Sequence, residues 1–230
     1  MTTTGTRPFD LIAFDVDGTL VRGPDGMTVW EVLNLKFTGT AEWNKKRYAD
    51  YKAGRLSYAE WVALDITSWR DAGARREDLV AAMEPLRLIE GVREATFALR
   101  DAGYRLFVIS GTLDLMLDTL FPDHPFEEIY ANHIGFDDAG RIAHWRATPF
   151  DMSGKAELLR GLALREGIPL RRCAFVGDST NDVWIAKIAG FSVAFNPRCE
   201  DLEQVADAVV RSEDFRDVVP HLLKGTSPAG

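Results

Sequence analysis

The chain of 230 residues has few cysteines, no long apolar run and no excess of positive charge. Cys173 and Cys199 are too few for a disulfide framework, so we expect a cytoplasmic protein. No apolar run reaches the roughly 18 residues of a transmembrane helix, and the opening MTTTGTRPFD lacks the apolar core of a signal peptide. The formal net charge of −8 argues against nucleic acid as the main partner. We therefore expect neither a membrane nor a nucleic-acid partner.

The order of the predicted elements indicates the fold class. Short, continuously apolar segments predict buried parallel strands, and they alternate with segments that predict helices. Residues 28–84 break this alternation, because helical segments follow one another there without a strand signal. The sequence thus predicts an α/β fold with a Rossmann-like parallel sheet. Its core domain comprises residues 1–22 and 86–230, and residues 23–85 form an inserted all-helical cap domain.

The segment DLIAFDVDGTL, residues 10–20, predicts the centre of the site. Its apolar residues 11–14 are typical of a buried strand, and two aspartates, Asp15 and Asp17, follow directly. Two carboxylates at the end of a buried strand repel each other unless a cation screens them. A hard divalent ion with oxygen ligands is suited to this position. Because ligands gather at the carboxyl ends of parallel strands, we expect other polar residues to join this pair.

Candidates for these partners follow two later predicted strands. Ser110 and Gly111 come after the apolar YRLFVI, and the segment GDSTND comes after the strand predicted at 172–176. Lys155 lies in the first turn of a predicted helix, which the helix dipole makes unfavourable for a cation. A positive charge in that place therefore suggests an anion that it meets.

These residue types suit the cleavage of a phosphate monoester. Asp15 is the candidate nucleophile, which would form an aspartyl-phosphate, and Asp17 is the candidate general acid and then base. A cation must offset the repulsion between a carboxylate and a phosphate dianion. Ser110 with the Gly111 N–H, and also Asn181, are candidates for binding the phosphate. Asp178 is a candidate metal ligand. Asp182 is a candidate to hold the Lys155 ammonium or a metal-bound water.

Four motifs together resemble those of the haloacid dehalogenase superfamily. They are DVDGTL (15–20), VISGT (108–112), SGKAELL (153–159) and GDSTND (177–182). The helical insert between the first two resembles the C1 cap of that superfamily. The SGT motif, the predicted hairpin before SGK, and GDSTND are most similar to the phosphoserine phosphatase branch.

The resemblance implies a Mg²⁺-dependent phosphatase of a small phosphorylated molecule, active as a monomer or homodimer. It implies that Asp15, Asp178 and the backbone carbonyl of Asp17 bind Mg²⁺. It also implies that phosphate is held by Ser110, Gly111, Lys155 and Asn181.

The cap departs from the phosphoserine phosphatase pattern. Pro24 stands where those enzymes carry a glutamate, and Asp65 aligns with the arginine that binds the carboxylate of phosphoserine. An acidic residue has the wrong sign for that task, so phosphoserine is a doubtful substrate. The cap tryptophans at helical spacing indicate core packing, and the run Lys45–Arg47 indicates a solvated face.

Two other functions remain open from the sequence. A phosphotransferase or phosphomutase would use the same aspartyl-phosphate with an acceptor other than water. A non-catalytic binding protein of the same fold would be expected to have lost at least one motif, and all four are present.

Overall fold

The computed structural model describes residues 7–149 and 154–225, and within them seven strands form the main sheet. The strands of the described residues are β1 Leu11–Phe14, β2 Val21–Arg22, β3 Arg87–Leu88, β4 Arg105–Leu113, β5 Glu128–Phe136, β6 Ile142–Arg146, β7 Cys173–Gly177, β8 Phe191–Phe195 and β9 Ala208–Val210. Strands β2 and β3 form a separate pair. In the main sheet the strand order is β6-β5-β4-β1-β7-β8-β9, and every pairing is parallel except the hairpin of β5 and β6. A mostly parallel α/β fold was predicted, and this sheet confirms it.

Strand β1 lies at the centre of the sheet and is buried on both faces. It pairs in parallel with β4 on one side and β7 on the other. Ile12 and Phe14 face one hydrophobic cluster, whereas Leu11 and Ala13 face a second cluster on the opposite side. This explains why the strand sequence is continuously apolar rather than alternating. The carboxyl ends of β1, β4 and β7 consequently lie side by side.

Helices cover both faces of the sheet. After the cap, α5 Val92–Asp101, α6 Asp114–Leu120 and α10 Val219–Lys224 contribute to the cluster that contains Phe14. On the other face, α7 Gly154–Arg165, α8 Val183–Ile188 and α9 Glu200–Val205 contribute to the cluster that contains Leu11. This double layer is the arrangement that allows a parallel sheet to bury both of its faces.

The cap consists of four helices that follow β2 and precede β3. They are α1 Val29–Thr38, α2 Glu42–Lys52, α3 Tyr58–Asp71 and α4 Arg76–Ala82. Thr28 and Ser57 close capping boxes at the starts of α1 and α3. No strand occurs between residues 29 and 82, all of which the structure describes. The prediction of an uninterrupted helical stretch is therefore confirmed.

The structure differs from the predicted elements near the site. Ser110 and Gly111 were expected to follow a strand, but the segment Ser110-Gly111-Thr112 belongs to β4, whose register against β5 shifts between Ile109 and Leu113. The short pair of β2 and β3 was not predicted, because two residues are too few for a recognisable pattern. Residues 1–6 and 226–230 lie outside the described residues. Within the described part of the chain, no helix has the length and apolarity needed to cross a membrane.

Candidate active site

Asp15 stands directly after β1 and is 3% exposed. Its backbone N–H donates to the carbonyl of Val176 at the end of β7, over 2.9 Å. Its Oδ1 atom accepts a hydrogen bond from Lys155 Nζ at 2.7 Å. The sheet therefore fixes the backbone of Asp15, and the lysine fixes its side chain.

Lys155 is fully buried in the first turn of α7, between two carboxylates. Its Nζ atom lies 2.7 Å from Asp15 Oδ1 and 2.6 Å from Asp182 Oδ1. Burial opposes the charged form, but the two carboxylates outweigh it and raise the pKa of Lys155. A buried ammonium is costly unless it is paired in this way. The neighbouring Ser153 of the SGKAELL motif lies outside the described residues.

The GDSTND segment follows β7 and places two further buried aspartates beside this pair. Asp182 Oδ2 accepts the backbone N–H groups of Asp178 and Ser179 at 2.9 and 3.0 Å. Asp178 Oδ2 lies 2.9 Å from Arg198 Nε. Burial raises the pKa of Asp182 to about 6 although Lys155 opposes the shift, and burial likewise raises the pKa of Asp178.

Gly18 allows the tip of β1 to approach the GDSTND segment. Its φ of +89° is favourable only for glycine, and a Cβ atom at this position would overlap the carboxylate of Asp178. The glycine in DVDGT is therefore needed for both its conformation and its lack of a side chain. Any larger residue would push Asp178 away from Asp15.

The clustered carboxylates fit a hard divalent cation. One oxygen from each of Asp15, Asp178 and Asp182 lies within 4.8 Å of the others. Asp178 Oδ1 is buried and finds no hydrogen-bond partner among the described residues. The three carboxylates face the Lys155 ammonium and the Arg198 guanidinium, so one negative charge remains for a cation to offset. Asp182 already accepts hydrogen bonds at both oxygens, which leaves Asp15 and Asp178 better suited as ligands.

Asp17 stands between the core and the cap. Its Oδ1 accepts the backbone N–H of Val29, the first residue of α1, at 2.9 Å. Burial raises the pKa of Asp17 to about 6, and the charge of Asp15 adds to this effect. The Val29 hydrogen bond and one from the side chain of Thr112 oppose the rise. A carboxyl group with a pKa near neutrality can both donate and accept a proton at physiological pH.

The SGT segment of β4 forms the wall next to Asp15. Ser110 is buried, and its Oγ atom accepts the N–H of Thr112 at 3.2 Å. The Gly111 carbonyl accepts the indole N–H of Trp30 at 2.9 Å and the Asn132 amide at 2.7 Å. The cap is thus attached to β4 at the same residue that was predicted to help hold a phosphate.

One cavity of about 340 Å³ connects these residues with the cap. We call its two sides the catalytic half and the cap half. The catalytic half is lined by Asp15, Asp17, Ser110, Gly111, Thr112, Asp178, Ser179, Thr180, Asn181 and Arg198. The cap half is lined by Thr28, Trp30, Asn44, Tyr48, Tyr58, Trp61, Val62 and Asp65. The volume of the whole cavity is typical of a site for a small molecule.

The structure brings the predicted site residues to one place, with one difference in depth. Asp15, Asp17, Ser110, Gly111, Asn181 and Asp178 line the cavity. Lys155 and Asp182 are not among its described lining residues and contact each other behind Asp15. Lys155 therefore lies next to the cavity and contacts the carboxylate of Asp15, which lines it.

Three features of the site were not found from the sequence. Arg198 and Trp30 line the cavity, but a lone arginine and a tryptophan at helical spacing carry no distinctive pattern. The solvated face predicted for Lys45–Arg47 is wrong at Arg47, whose side chain is 11% exposed and pairs with the buried Asp65. Arg47 lies among other charged residues of α2, and nothing in that part of the sequence indicates a buried acidic partner.

Comparison with known proteins identifies the family. A family model described as haloacid dehalogenase-like hydrolase matches residues 9–190. The chain is 31% identical over 213 residues to phosphoserine phosphatase SerB2 of Mycobacterium tuberculosis, covering 93% of this chain and 50% of that protein. It is 26% identical over 212 residues to the phosphoserine phosphatase of Methanocaldococcus jannaschii, and this match covers 92% of this chain and 97% of that protein. The chain thus spans only half the length of the first relative and nearly all of the second.

A solved structure agrees with these sequence matches. The structure described as a phospho-aspartyl intermediate analogue of phosphoserine phosphatase superposes with a TM-score of 0.74 at 25% identity. The match covers 94% of this chain and 99% of that one. The family match extends over well more than half of the chain and includes Asp15, Ser110, Lys155 and Asp178. The chain belongs to the haloacid dehalogenase-like hydrolase family.

Proposed function

We propose that this protein is a phosphatase that hydrolyses a small phosphate monoester through an aspartyl-phosphate at Asp15. The observation that carries the proposal is the pairing of Asp15 with the buried ammonium of Lys155 in a cavity that also presents the Asp17 carboxyl group. The relatives named phosphoserine phosphatase, and the phospho-aspartyl analogue of one of them, support this reaction class.

The first step transfers the phosphoryl group to the protein. A carboxylate oxygen of Asp15 attacks phosphorus, and the bond between phosphorus and the ester oxygen breaks. Lys155 holds Asp15 Oδ1 at 2.7 Å and offsets its charge, so that an anionic phosphate can approach. The protonated Asp17 gives its proton to the departing alcohol oxygen. The Val29 N–H holds Asp17 in place for this transfer.

The second step restores the carboxylate. Asp17, now ionised, removes a proton from water, and the water oxygen attacks phosphorus. The bond between phosphorus and the Asp15 oxygen then breaks and releases inorganic phosphate. Ser110, the Gly111 N–H and Asn181 are proposed to hold the phosphate oxygens during both steps, because they line the same cavity as Asp15.

We infer that the cation is Mg²⁺, held by Asp15, Asp178 and the backbone carbonyl of Asp17. When bound, it would supply positive charge to the phosphoryl oxygens. Its fit rests on the unpartnered, buried Oδ1 of Asp178 among the described residues and on the carboxylate cluster around it. The division into a core of residues 1–22 and 86–230 and a cap of residues 23–85, and a cytoplasmic location, belong to the same proposal.

The test measures hydrolysis of p-nitrophenyl phosphate with Mg²⁺ and isolates the phosphorylated protein by rapid acid quench and mass spectrometry. Asp15→Asn should remove both turnover and the added phosphate. The matched control is Asp71→Asn, because Asp71 is an exposed acid on α3. Phosphate found on another residue, or turnover retained by Asp15→Asn, would refute the proposal. Transfer of phosphate to added glycerol faster than to water would instead indicate a phosphotransferase.

A further inference from the structure

The cap half of the cavity contains the buried carboxylate of Asp65, one oxygen of which has no hydrogen-bond donor among the described residues. Asp65 Oδ1 accepts the Asn34 amide at 2.7 Å and also pairs with Arg47 Nη1. Asp65 Oδ2 is buried and finds no donor within hydrogen-bond distance among the described residues, although the Trp61 side chain lies close enough to interact. Asp65 lines the cavity, whereas Arg47 does not. The available oxygen is therefore an acceptor for a ligand that carries a donor.

A second network keeps Asp65 in this orientation. Asn34 donates to Asp65 and accepts the indole N–H of Trp69 at 2.9 Å, and all three side chains are fully buried. Arg47 also donates to Ser68 Oγ at 3.3 Å. These contacts hold one face of the carboxylate in the cap interior. The other oxygen, Oδ2, is left without a donor among the described residues.

Aromatic residues line the same half of the cavity as Asp65. Trp61 contacts Tyr48 and Tyr58 with ring centroids 6.1 and 6.0 Å apart, and Trp30 lies next to them on the wall. Such rings bind an organic cation through their faces or an apolar group by packing. They offer no attraction to a carboxylate, which prefers a cationic fork.

The charges in the cap half oppose an anionic leaving group. None of the described cap residues that line the cavity is cationic. Across the cavity, Arg198 is held by Asp178 Oδ2 at 2.9 Å and by the Gly26 carbonyl at 3.0 Å. A substrate carboxylate would therefore lie beside Asp65 without a free cation to pair with it.

We propose that the cap half selects phosphate monoesters of amino alcohols, an inference that rests on the proposed phosphatase function. The ammonium group of the leaving alcohol donates to Asp65 Oδ2 and packs against Trp61 and the tyrosines, and a carboxylate on that alcohol is rejected. The 340 Å³ cavity limits the whole ester to a small molecule.

The experiment compares substrates that differ by one group, using the full chain with Mg²⁺. Phosphoethanolamine is phosphoserine without the carboxylate, so we expect its kcat/KM to be about tenfold higher or more. Glycerol 3-phosphate, which carries hydroxyl groups in place of the ammonium, should have a lower kcat/KM than phosphoethanolamine. A kcat/KM for phosphoserine equal to or higher than that for phosphoethanolamine would overturn the proposal. A higher kcat/KM for glycerol 3-phosphate than for phosphoethanolamine would also overturn it and would assign the cap half to polyol phosphates.

Variants then test whether Asp65 is responsible. Asp65→Asn should lower the ratio of kcat/KM for phosphoethanolamine to that for acetyl phosphate by about tenfold, because the small acetyl group does not reach the cap. Asp71→Asn removes the same charge from an exposed position on the same helix and should leave the ratio unchanged. An unchanged ratio in Asp65→Asn would refute the role of Asp65.

A second variant covers the case in which Asp65→Asn does not fold. Tyr48 is 38% exposed, so Tyr48→Leu should retain the fold and lower the same ratio by about twofold to fivefold. Calorimetry on the Asp15→Asn protein should show phosphoethanolamine binding more tightly than phosphoserine. Lack of turnover of p-nitrophenyl phosphate and acetyl phosphate would refute the phosphatase itself. Turnover of both without an amino-alcohol preference would refute only the assignment of the cap half.

Discussion

The two halves of the cavity are built in different ways. In the catalytic half and directly behind it, the carboxylates and the Lys155 ammonium stand at strand ends or a helix start, and the sheet holds their backbones within reach of one another. In the cap half, Asp65 stands in the middle of α3, and its position depends on side-chain contacts with Asn34 and Arg47. On the proposed function, the reaction would be fixed by the fold, and the choice of leaving group would be fixed by packing between helices.

The largest effect is expected for Lys155→Met. Loss of the ammonium leaves Asp15 and Asp182 facing each other in a buried site, which should lower the free energy of unfolding by about 3–5 kcal/mol. It should also lower kcat on the order of 10³-fold, since Asp15 would no longer be oriented. Urea denaturation and steady-state kinetics measure the two effects, with the exposed Lys187→Met as control. Activity close to wild type would show that the catalytic half does not depend on this pair.

Asp17→Asn should lower kcat by about 10²–10⁴-fold, because the leaving alcohol and the attacking water lose their proton donor and acceptor. The pKa of Asp17 is raised to about 6, so the fraction that carries the proton falls as the pH rises from 6 to 8. The kcat/KM ratio of wild type to variant should therefore shrink over that range. A ratio that stays constant or grows with pH would show that Asp17 is not the acid of the first step.

Magnesium should stabilise the folded protein before any substrate is added. A ligand at 100 times its dissociation constant contributes about 2.7 kcal/mol, which scanning calorimetry detects as a higher Tm. Asp178→Asn should abolish this rise, because Asp178 Oδ1 is the available buried oxygen among the described residues. Asp71→Asn should retain it. An equal rise in both variants would place the cation elsewhere.

The smallest effect is expected for Asn34→Ala in the cap. The substitution leaves the Trp69 indole N–H without its acceptor and Asp65 with one donor fewer. We expect the free energy of unfolding to fall by about 1–3 kcal/mol, measured by urea denaturation. Acetyl phosphate should be hydrolysed at close to the wild-type rate, since the catalytic half is held by the sheet. A loss of that activity as large as in Lys155→Met would contradict the independence of the two halves.

The catalytic half could be predicted from the sequence because its signals are local. Asp15 and Asp17 follow an apolar strand directly, and GDSTND follows another. Parallel strands place their carboxyl ends at one edge, so three separate segments could be expected to meet there. The Lys155 ammonium lies between Asp15 and Asp182, and its contact with a phosphate stays a prediction.

The cap half could not be predicted to the same extent. The resemblance aligns Asp65 with an arginine of the phosphoserine phosphatase branch, but nothing in the sequence indicates that Arg47 pairs with Asp65 from the neighbouring helix. Helical periodicity identifies buried faces and does not specify which helices meet. The cavity-lining positions of Trp30 and Trp61 depend on how α1 and α3 pack against each other and against β4.

The sequence by itself determined the α/β class, the uninterrupted helical insert and the residues that converge at the strand ends. It could do so because strands, capping boxes and motifs depend on neighbours within a few positions. Only the tertiary structure decided which oxygen of Asp65 is available and which charges are already paired. Those outcomes depend on contacts between side chains that are far apart in the chain, such as Arg198 with Asp178 and Trp30 with Gly111.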